Sequence, residues 1–184
     1  MAAGRGTRFG ATKQLVPFDG KPLVQHAIDA AADAGIEDIV VVVGHDSKRV
    51  RAALALPEGA RVVENPDYSE GQASSLHTGL RGAEASSQGA LVLMADQPGV
   101  RPEDLRRVAE RFRADPWRAV RLRYRDGPGP AVLPRWLWDE TLLITGDTGA
   151  RELFDRYAER VDDISVDADT PPDVDTPDDV DRLE

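Results

Sequence analysis

The chain has 184 residues, of which 41% are hydrophobic and 30% are charged, so it can bury the core of about one domain and lacks the composition of a disordered protein. It contains no cysteine, which excludes disulfides, thiolate nucleophiles and cysteine-ligated metal centres. Its net charge of −10 argues against a nucleic-acid partner, because phosphates favour a basic face. No apolar run is long enough to cross a bilayer and the N-terminus lacks the pattern of a secretory leader, so we expect a soluble cytoplasmic protein with no membrane partner.

Helical and strand patterns alternate along the chain. Periodicity and turn residues predict helices over 22–34, 47–56, 74–85, 135–143 and 149–157, and helices that begin at 102 and 176. Strands are predicted over 38–44, 61–64, 90–95, 119–124 and 164–166. This alternation predicts one α/β domain with three α/β/α layers around a mostly parallel sheet. Ligands of such sheets bind beyond the carboxyl ends of the strands, where residues 4–13 and 96–98 lie.

The charge is unevenly distributed. Residues 161–184 carry ten acidic side chains and one basic side chain, whereas Arg5, Arg8 and Lys13 precede the first acidic residue. Only three of the 23 basic residues are lysines, and Lys13 and Lys21 lie within nine residues of each other. Because an ammonium is a compact point charge that a guanidinium does not replace, this usage favours a functional role for these two lysines.

The glycine-rich segment 2–13 contains three glycines, two arginines and a lysine. Glycines allow backbone N–H groups to face an anion and the cations add charge-assisted hydrogen bonds, so a triphosphate is the ligand that this composition favours. The segment lacks the Gly-Lys-Ser/Thr of a Walker A loop, and Phe9 stands where the dinucleotide fingerprint has its third glycine. On composition alone, an ordinary glycine-rich surface turn explains the segment about equally well.

Five segments, in order along the chain, resemble the motifs of MobA-like nucleotidyltransferases. The first is segment 2–13, and Gly20-Lys21-Pro22-Leu23 after it is similar to the family's G-x-P-L. The other four are residues 71–76, 96–98, 146–151 and 173–177. Ala2-Ala3-Gly4 and residues 146–151 are more similar to the molybdenum cofactor cytidylyltransferases than to the guanylyltransferase branch.

The resemblance implies a Rossmann-like, nucleotide-diphospho-sugar transferase (GT-A-like) fold and a nucleotidyltransferase activity. The expected reaction transfers a nucleotidyl group from an NTP, with CTP favoured, to the phosphate of a molybdopterin-type cofactor, and releases pyrophosphate. Mg²⁺ is the expected cofactor, and a molybdoenzyme that receives the product is an expected partner.

The resemblance also implies roles for individual residues. Arg8, Lys13 and Asp96 are the expected catalytic residues, with Asp96 and Asp175 as metal ligands. Nucleotide binding is expected from Ala3, Gly4, Arg5, Gly6, Lys13, Ser74 and Ser75. Acceptor binding is expected from Lys21, Gly129, Pro130 and Arg151. Alternatives stay open: Asp96 as a turn residue, Asp175 as part of a solvated acidic tail, and either serine as a helix cap.

The family has an apolar strand before its opening motif, whereas this chain starts at Met1. We expect that the first strand of this domain (1–184) is truncated, that backbone groups near the sheet centre are left unpaired, and that the natural start lies upstream.

Two other functions fit the same residues. Lys13-Gln14 is also similar to the Lys-Gln of cytidylyltransferases in isoprenoid synthesis, which favours a sugar phosphate or an alcohol phosphate as acceptor. The second is a non-catalytic nucleotide-binding module, which would not need to keep Arg8, Lys13 and Asp96 together.

Overall fold

The computed structural model describes residues 1–4, 6, 9–147 and 150–183 of the chain. The strands are β1 (Pro17–Phe18), β2 (Lys21–Pro22), β3 (Val40–Val43), β4 (Arg61–Glu64), β5 (Gly89–Val92), β6 (Ala119–Arg123), β7 (Pro128–Pro134) and β8 (Val161–Ser165). The α-helices are α1 (Leu23–Asp33), α2 (Ser47–Ala53), α3 (Gln72–Gly82), α4 (Pro102–Ala114), α5 (Trp138–Thr141), α6 (Arg151–Arg156) and α7 (Pro177–Leu183). Among the described residues, no helix combines the length and the hydropathy needed to cross a bilayer.

The strands form a parallel pair, β3 with β4, and a mixed four-stranded sheet in the order β5-β7-β6-β8, while β1 and β2 form a short hairpin. Strand β7 runs antiparallel to both of its neighbours, and β6 and β8 are parallel. The sequence analysis did not predict β7, because its three prolines are typical of a loop. Pro128 and Pro134 lie at its two ends, and the register with β6 shifts beside Pro130, so the ladder tolerates the missing N–H groups.

Alternate residues of β6 and β7 pack into two different cores, as expected for a sheet covered on both faces. On one face, Val120 and Val132 pack with Val108 and Phe112 of α4. On the other face, Ala119, Ala131 and Leu133 pack in a cluster with α3, α5 and α6. Helix α1 packs against β3 and contacts α4. The result is the three-layer α/β/α architecture that the sequence predicts.

The first two residues of the chain lie between the two sheets. The Met1 amino group donates to the Leu93 carbonyl (2.5 Å), and the Met1 carbonyl accepts from the Ala95 amide (3.0 Å). On the other side, the Ala2 amide donates to the Val42 carbonyl (2.8 Å). Met1 and Ala2 therefore connect β3 to the segment that follows β5.

Beside Met1, a cavity of about 370 Å³ separates β3 from β5. Its walls include residues 39–42 and 89–93 together with apolar side chains of α1 and α3. Within the described residues, no backbone ladder joins β3 to β5. The strand that we expect to precede Met1 stays a prediction.

Candidate functional site

Lys13 lies at the centre of the candidate site. It begins a short 3₁₀ turn (Lys13–Leu15) after the glycine-rich segment, and its side chain is only 11% exposed. Its Nζ donates to Asp96 Oδ2 (2.9 Å) and to Asp175 Oδ1 (2.6 Å). These two aspartates are separated from Lys13 by 83 and 162 positions in the sequence. All three residues line a cavity of about 730 Å³. The fold thus brings together three of the residues that the sequence analysis selected.

The two carboxylates that contact Lys13 come from different segments of the chain. Asp96 directly follows Ala95, whose amide bonds to Met1. Asp175 comes from the acidic C-terminal segment. A hydrogen bond from the amide of the fully buried Val174 to the Asp96 carbonyl (2.9 Å) holds this segment beside Asp96. Asp175 is therefore part of a packed contact, which disfavours the alternative of a solvated tail.

The electrostatic environment of Lys13 favours its charged form. Burial on its own would lower the pKa of Lys13, but hydrogen bonds and charge attraction from Asp175 and Asp96 outweigh it and raise the pKa, so the ammonium stays charged at neutral pH. Burial raises the pKa of Asp173 nearby, and the negative charges of Asp96 and Asp175 add to that shift, while a hydrogen bond from Gln97 opposes it. Among the described residues, the carboxyl groups of Asp96 and Asp175 both contact the Lys13 ammonium.

Asp96 has an oxygen that is free to bind a cation. Asp96 Oδ1 is buried and has no hydrogen-bond partner among the described residues, which is costly for a charged group. Among the described residues, no group of three or more acidic or histidine side chains has the arrangement of a metal site. Mg²⁺ needs only one or two protein carboxylates, because it keeps several water ligands. Asp96 and Asp175 therefore fit a hydrated divalent cation.

The glycine-rich segment forms another part of the same cavity wall. Ala3, Gly4 and Gly6 line it, and Gly6 has a φ of +57°. A Cβ at Gly6 would lie 2.8 Å from the Lys13 Cβ, so a glycine is needed for this close approach. The other predicted residues of this segment, Arg5 and Arg8, lie outside the described residues.

Side chains that the sequence analysis did not select support this segment. Gln14 is buried, and its Nε2 donates to the Gly4 carbonyl (2.8 Å). Thr12 Oγ1 donates to Asp46 Oδ2 (2.7 Å), and Asp46 has an unusual φ of +55°. The sequence signal for Gln14 was the Lys13-Gln14 pair, whereas Asp46 gave no signal.

The two predicted serines have different environments. Ser75 is buried, lines the cavity and accepts a hydrogen bond from Asn65 Nδ2 (3.0 Å). Ser74 Oγ instead has contacts within 2.8 Å to the carbonyls of Asp67 and Gly71, in the turn before α3. Ser75 thus lines the cavity and its contact with the nucleotide stays a prediction, whereas Ser74 stabilises the turn.

The four residues predicted to bind the acceptor do not line the cavity. Lys21 forms an ion pair with Asp29 of α1, Gly129 and Pro130 lie in β7, and Arg151 is exposed at the start of α6. Their role in acceptor binding stays a prediction. Other parts of the wall consist of residues that the analysis did not assign: residues 68–72, Met94 and Asp147.

Two of the family-like segments meet at the start of α3. The Gln72 amide donates to Asp147 Oδ1 (3.2 Å), and the Ala73 amide donates to the Gly146 carbonyl (3.0 Å), so two free N–H groups of the helix are satisfied. Gly71 has a φ of +107°, and a Cβ there would lie 2.4 Å from the Gly146 carbonyl carbon. This contact holds part of the cavity wall together.

We expect Gly71→Ala to lower the free energy of unfolding by about 3 kcal/mol or more, because the substitution adds a backbone clash to an unfavourable φ. Urea denaturation followed by circular dichroism measures this loss. Gly35→Ala is the matched control, since Gly35 has a φ of +79° and a methyl group added there would meet no atom within 4 Å beyond its chain neighbours. It is expected to cost only about 1–2 kcal/mol. Equal losses in the two variants would contradict the proposed close contact.

Comparison with known proteins agrees with this geometry. The family model described as the MobA-like NTP transferase domain matches residues 1–161. The crystal structure of Rv0371c from Mycobacterium tuberculosis superposes with a TM-score of 0.85 at 33% identity, covering 99% of this chain and 93% of that chain. A second structure of Rv0371c, in complex with manganese, gives a TM-score of 0.81 at 32% identity, with coverage of 99% and 93%.

Two curated relatives differ in how much of their length is matched. Nicotine blue oxidoreductase from Paenarthrobacter nicotinovorans is 33% identical over 161 residues, which is 82% of this chain and 77% of the relative. The bifunctional protein GlmU of Burkholderia thailandensis is 38% identical over 112 residues, or 60% of this chain. The match spans only 24% of GlmU, so that protein is much longer than the shared region.

Proposed function

This chain belongs to the MobA-like NTP transferase family, and from that membership we propose that it transfers a nucleotidyl group from an NTP to a phosphorylated acceptor. The observation that carries the proposal is the contact of Lys13 Nζ with Asp96 and Asp175 on the wall of a 730 Å³ cavity that Gly4 and Gly6 also line. A cation, two carboxylates and an exposed glycine backbone are the groups that phosphoryl chemistry needs.

The proposed reaction needs positioning and charge neutralisation more than covalent help. An oxygen of the acceptor phosphate attacks the α-phosphorus of the NTP, the bond from that phosphorus to the bridging oxygen breaks, and pyrophosphate leaves with the electron pair. The Lys13 ammonium stabilises the charge that develops on the phosphates, and backbone N–H groups at Gly4 and Gly6 orient them. A divalent cation on Asp96 and Asp175, as Mg²⁺, would supply further charge neutralisation; the manganese complex of Rv0371c supports a metal of this kind.

The donor and the acceptor are proposed more narrowly as CTP and a molybdopterin-type cofactor. Ala2-Ala3-Gly4 and residues 146–151 support this choice, since they resemble the cytidylyltransferase branch. A molybdoenzyme would then receive the product. A sugar phosphate or an alcohol phosphate is the second candidate acceptor, favoured by the similarity of Lys13-Gln14 to the Lys-Gln of cytidylyltransferases in isoprenoid synthesis.

We also propose that residues 1–184 form one domain. The family model ends at residue 161, yet Val174 bonds to Asp96 and Asp175 contacts Lys13. The C-terminal segment therefore supplies a part of the site.

Pyrophosphate release tests the function directly. We expect release from CTP when Mg²⁺ and a molybdopterin acceptor are present, and little release when either is omitted. GTP, a sugar phosphate and an alcohol phosphate, each assayed separately, discriminate among transferases. CTP binding without pyrophosphate release from any donor and acceptor pair would instead indicate a binding module and contradict the proposal.

A further inference from the structure

We propose that Lys13 is a built-in competitor of the divalent cation: in the nucleotide-free protein its ammonium occupies the two carboxylates, Asp96 and Asp175, that would hold the metal. This inference rests on the proposed function for the identity of the metal ligands. It concerns how the site is regulated, since it makes metal binding depend on where Lys13 lies.

The geometry supports direct competition. One Nζ lies 2.9 Å from Asp96 Oδ2 and 2.6 Å from Asp175 Oδ1, so it bridges the two carboxylates. An ammonium and a divalent cation both seek hard oxygen ligands, and two cations so close together repel each other. Because the Lys13 side chain is only 11% exposed, solvent screens this repulsion weakly.

The site nevertheless retains attraction for another cation. Asp96 Oδ1 is buried and without a hydrogen-bond partner among the described residues, and Asp173 adds a third carboxyl group close by. The ammonium therefore leaves one oxygen of Asp96 without a hydrogen bond among the described residues. A bound triphosphate offers the Lys13 ammonium other anionic partners, so nucleotide and metal binding should favour each other reciprocally.

Manganese titration of the nucleotide-free protein tests the proposal, with free Mn²⁺ followed by electron paramagnetic resonance. We expect Lys13→Met to bind Mn²⁺ at least about tenfold more tightly than the wild type, because the competing charge is removed. Lys13→Arg keeps a positive charge near the carboxylates, so it should gain less affinity for Mn²⁺ than Lys13→Met does. Lys48→Met removes an equal charge from an exposed position on α2 and should resemble the wild type.

A double variant locates the metal. Adding Asp96→Asn to Lys13→Met should abolish the gain in affinity, because it removes one of the two carboxylates. Unchanged or weaker Mn²⁺ binding by Lys13→Met would overturn the proposal, and so would a gain that survives Asp96→Asn. Circular dichroism verifies folding, and Lys13→Gln replaces Lys13→Met in the same titration if the latter does not fold.

The outcomes separate this inference from the proposed function. If Lys13→Met binds Mn²⁺ no more tightly while the wild type releases pyrophosphate, only the competition is wrong. If the affinity rises as expected while no donor and acceptor pair reacts, the competition stands and the transferase proposal fails.

Discussion

Lys13→Ala and Asp96→Ala are each expected to abolish nucleotidyl transfer while the fold stays intact. Lys13 is the one lysine or arginine among the described residues that line the 730 Å³ cavity, so nothing else there replaces its charge. Removing one preorganised donor of this kind costs about 100- to 1000-fold in kcat. Loss of Asp96 removes the carboxylate with the buried, unpartnered oxygen, and the loss of activity should be at least as large. Steady-state pyrophosphate release measures both effects.

Two matched controls accompany these variants. Lys48→Ala and Asp155→Ala remove the same charges from exposed helical positions and should keep the wild-type rate. Far-ultraviolet circular dichroism should be the same for all four variants. Near-normal rates for both Lys13→Ala and Asp96→Ala would mean that the site is assigned to the wrong residues.

An added N-terminal strand is expected to stabilise the protein. We propose to fuse about six apolar, β-branched residues to Met1, so that they extend into the 370 Å³ cavity between β3 and β5 and pair with both strands. Burial of these side chains and the new ladder should exceed the ordering entropy, raising the free energy of unfolding by on the order of 3 kcal/mol. Urea denaturation measures the gain, and an extension of equal length made of glycine and serine is the control.

The pH dependence of stability provides a second readout of the same change. Burial lowers the pKa of the Met1 amino group from 8.0 to about 6, although the negative charge of Asp96 opposes the shift. Between these two values the unfolded amine binds a proton that the folded amine does not, so the stability of the 184-residue chain rises by about 2 kcal/mol from pH 6 to 8.

Fusion converts the Met1 amine into an amide, so the extended protein should lose this rise. If the apolar extension stabilises no more than the glycine and serine control, and the rise from pH 6 to 8 persists, the cavity does not accept a strand.

The layer architecture was predictable because its signals are local. Apolar strands such as β5, which was predicted over 90–95 and is found over Gly89–Val92, and the periodic face of α4 follow from residue type and spacing alone. Strand β7 was missed for the same reason, because proline disfavours a ladder locally. Its prolines are tolerated only where the partner strand ends or shifts register, which depends on pairing with β6 and β5.

The candidate site was predictable only in part. Lys13 and Asp96 stand out by residue type and by their positions next to a glycine-rich segment and a buried strand. The contacts of Gln14 with Gly4, and of Gly71 with Gly146, join segments whose proximity no local pattern reveals. Such contacts arise from tertiary packing, so sequence reasoning selected the charged residues of the site and missed those that position its backbone.

A crystal structure of the protein with Mn²⁺ and a non-hydrolysable CTP analogue would show where the metal and the triphosphate bind. We expect an anomalous manganese peak in contact with the Asp96 and Asp175 carboxylates, with the Lys13 ammonium moved onto the phosphates and the triphosphate against Gly4 and Gly6. A manganese peak away from Asp96, or a triphosphate that touches neither Lys13 nor the glycine-rich segment, would contradict this expectation.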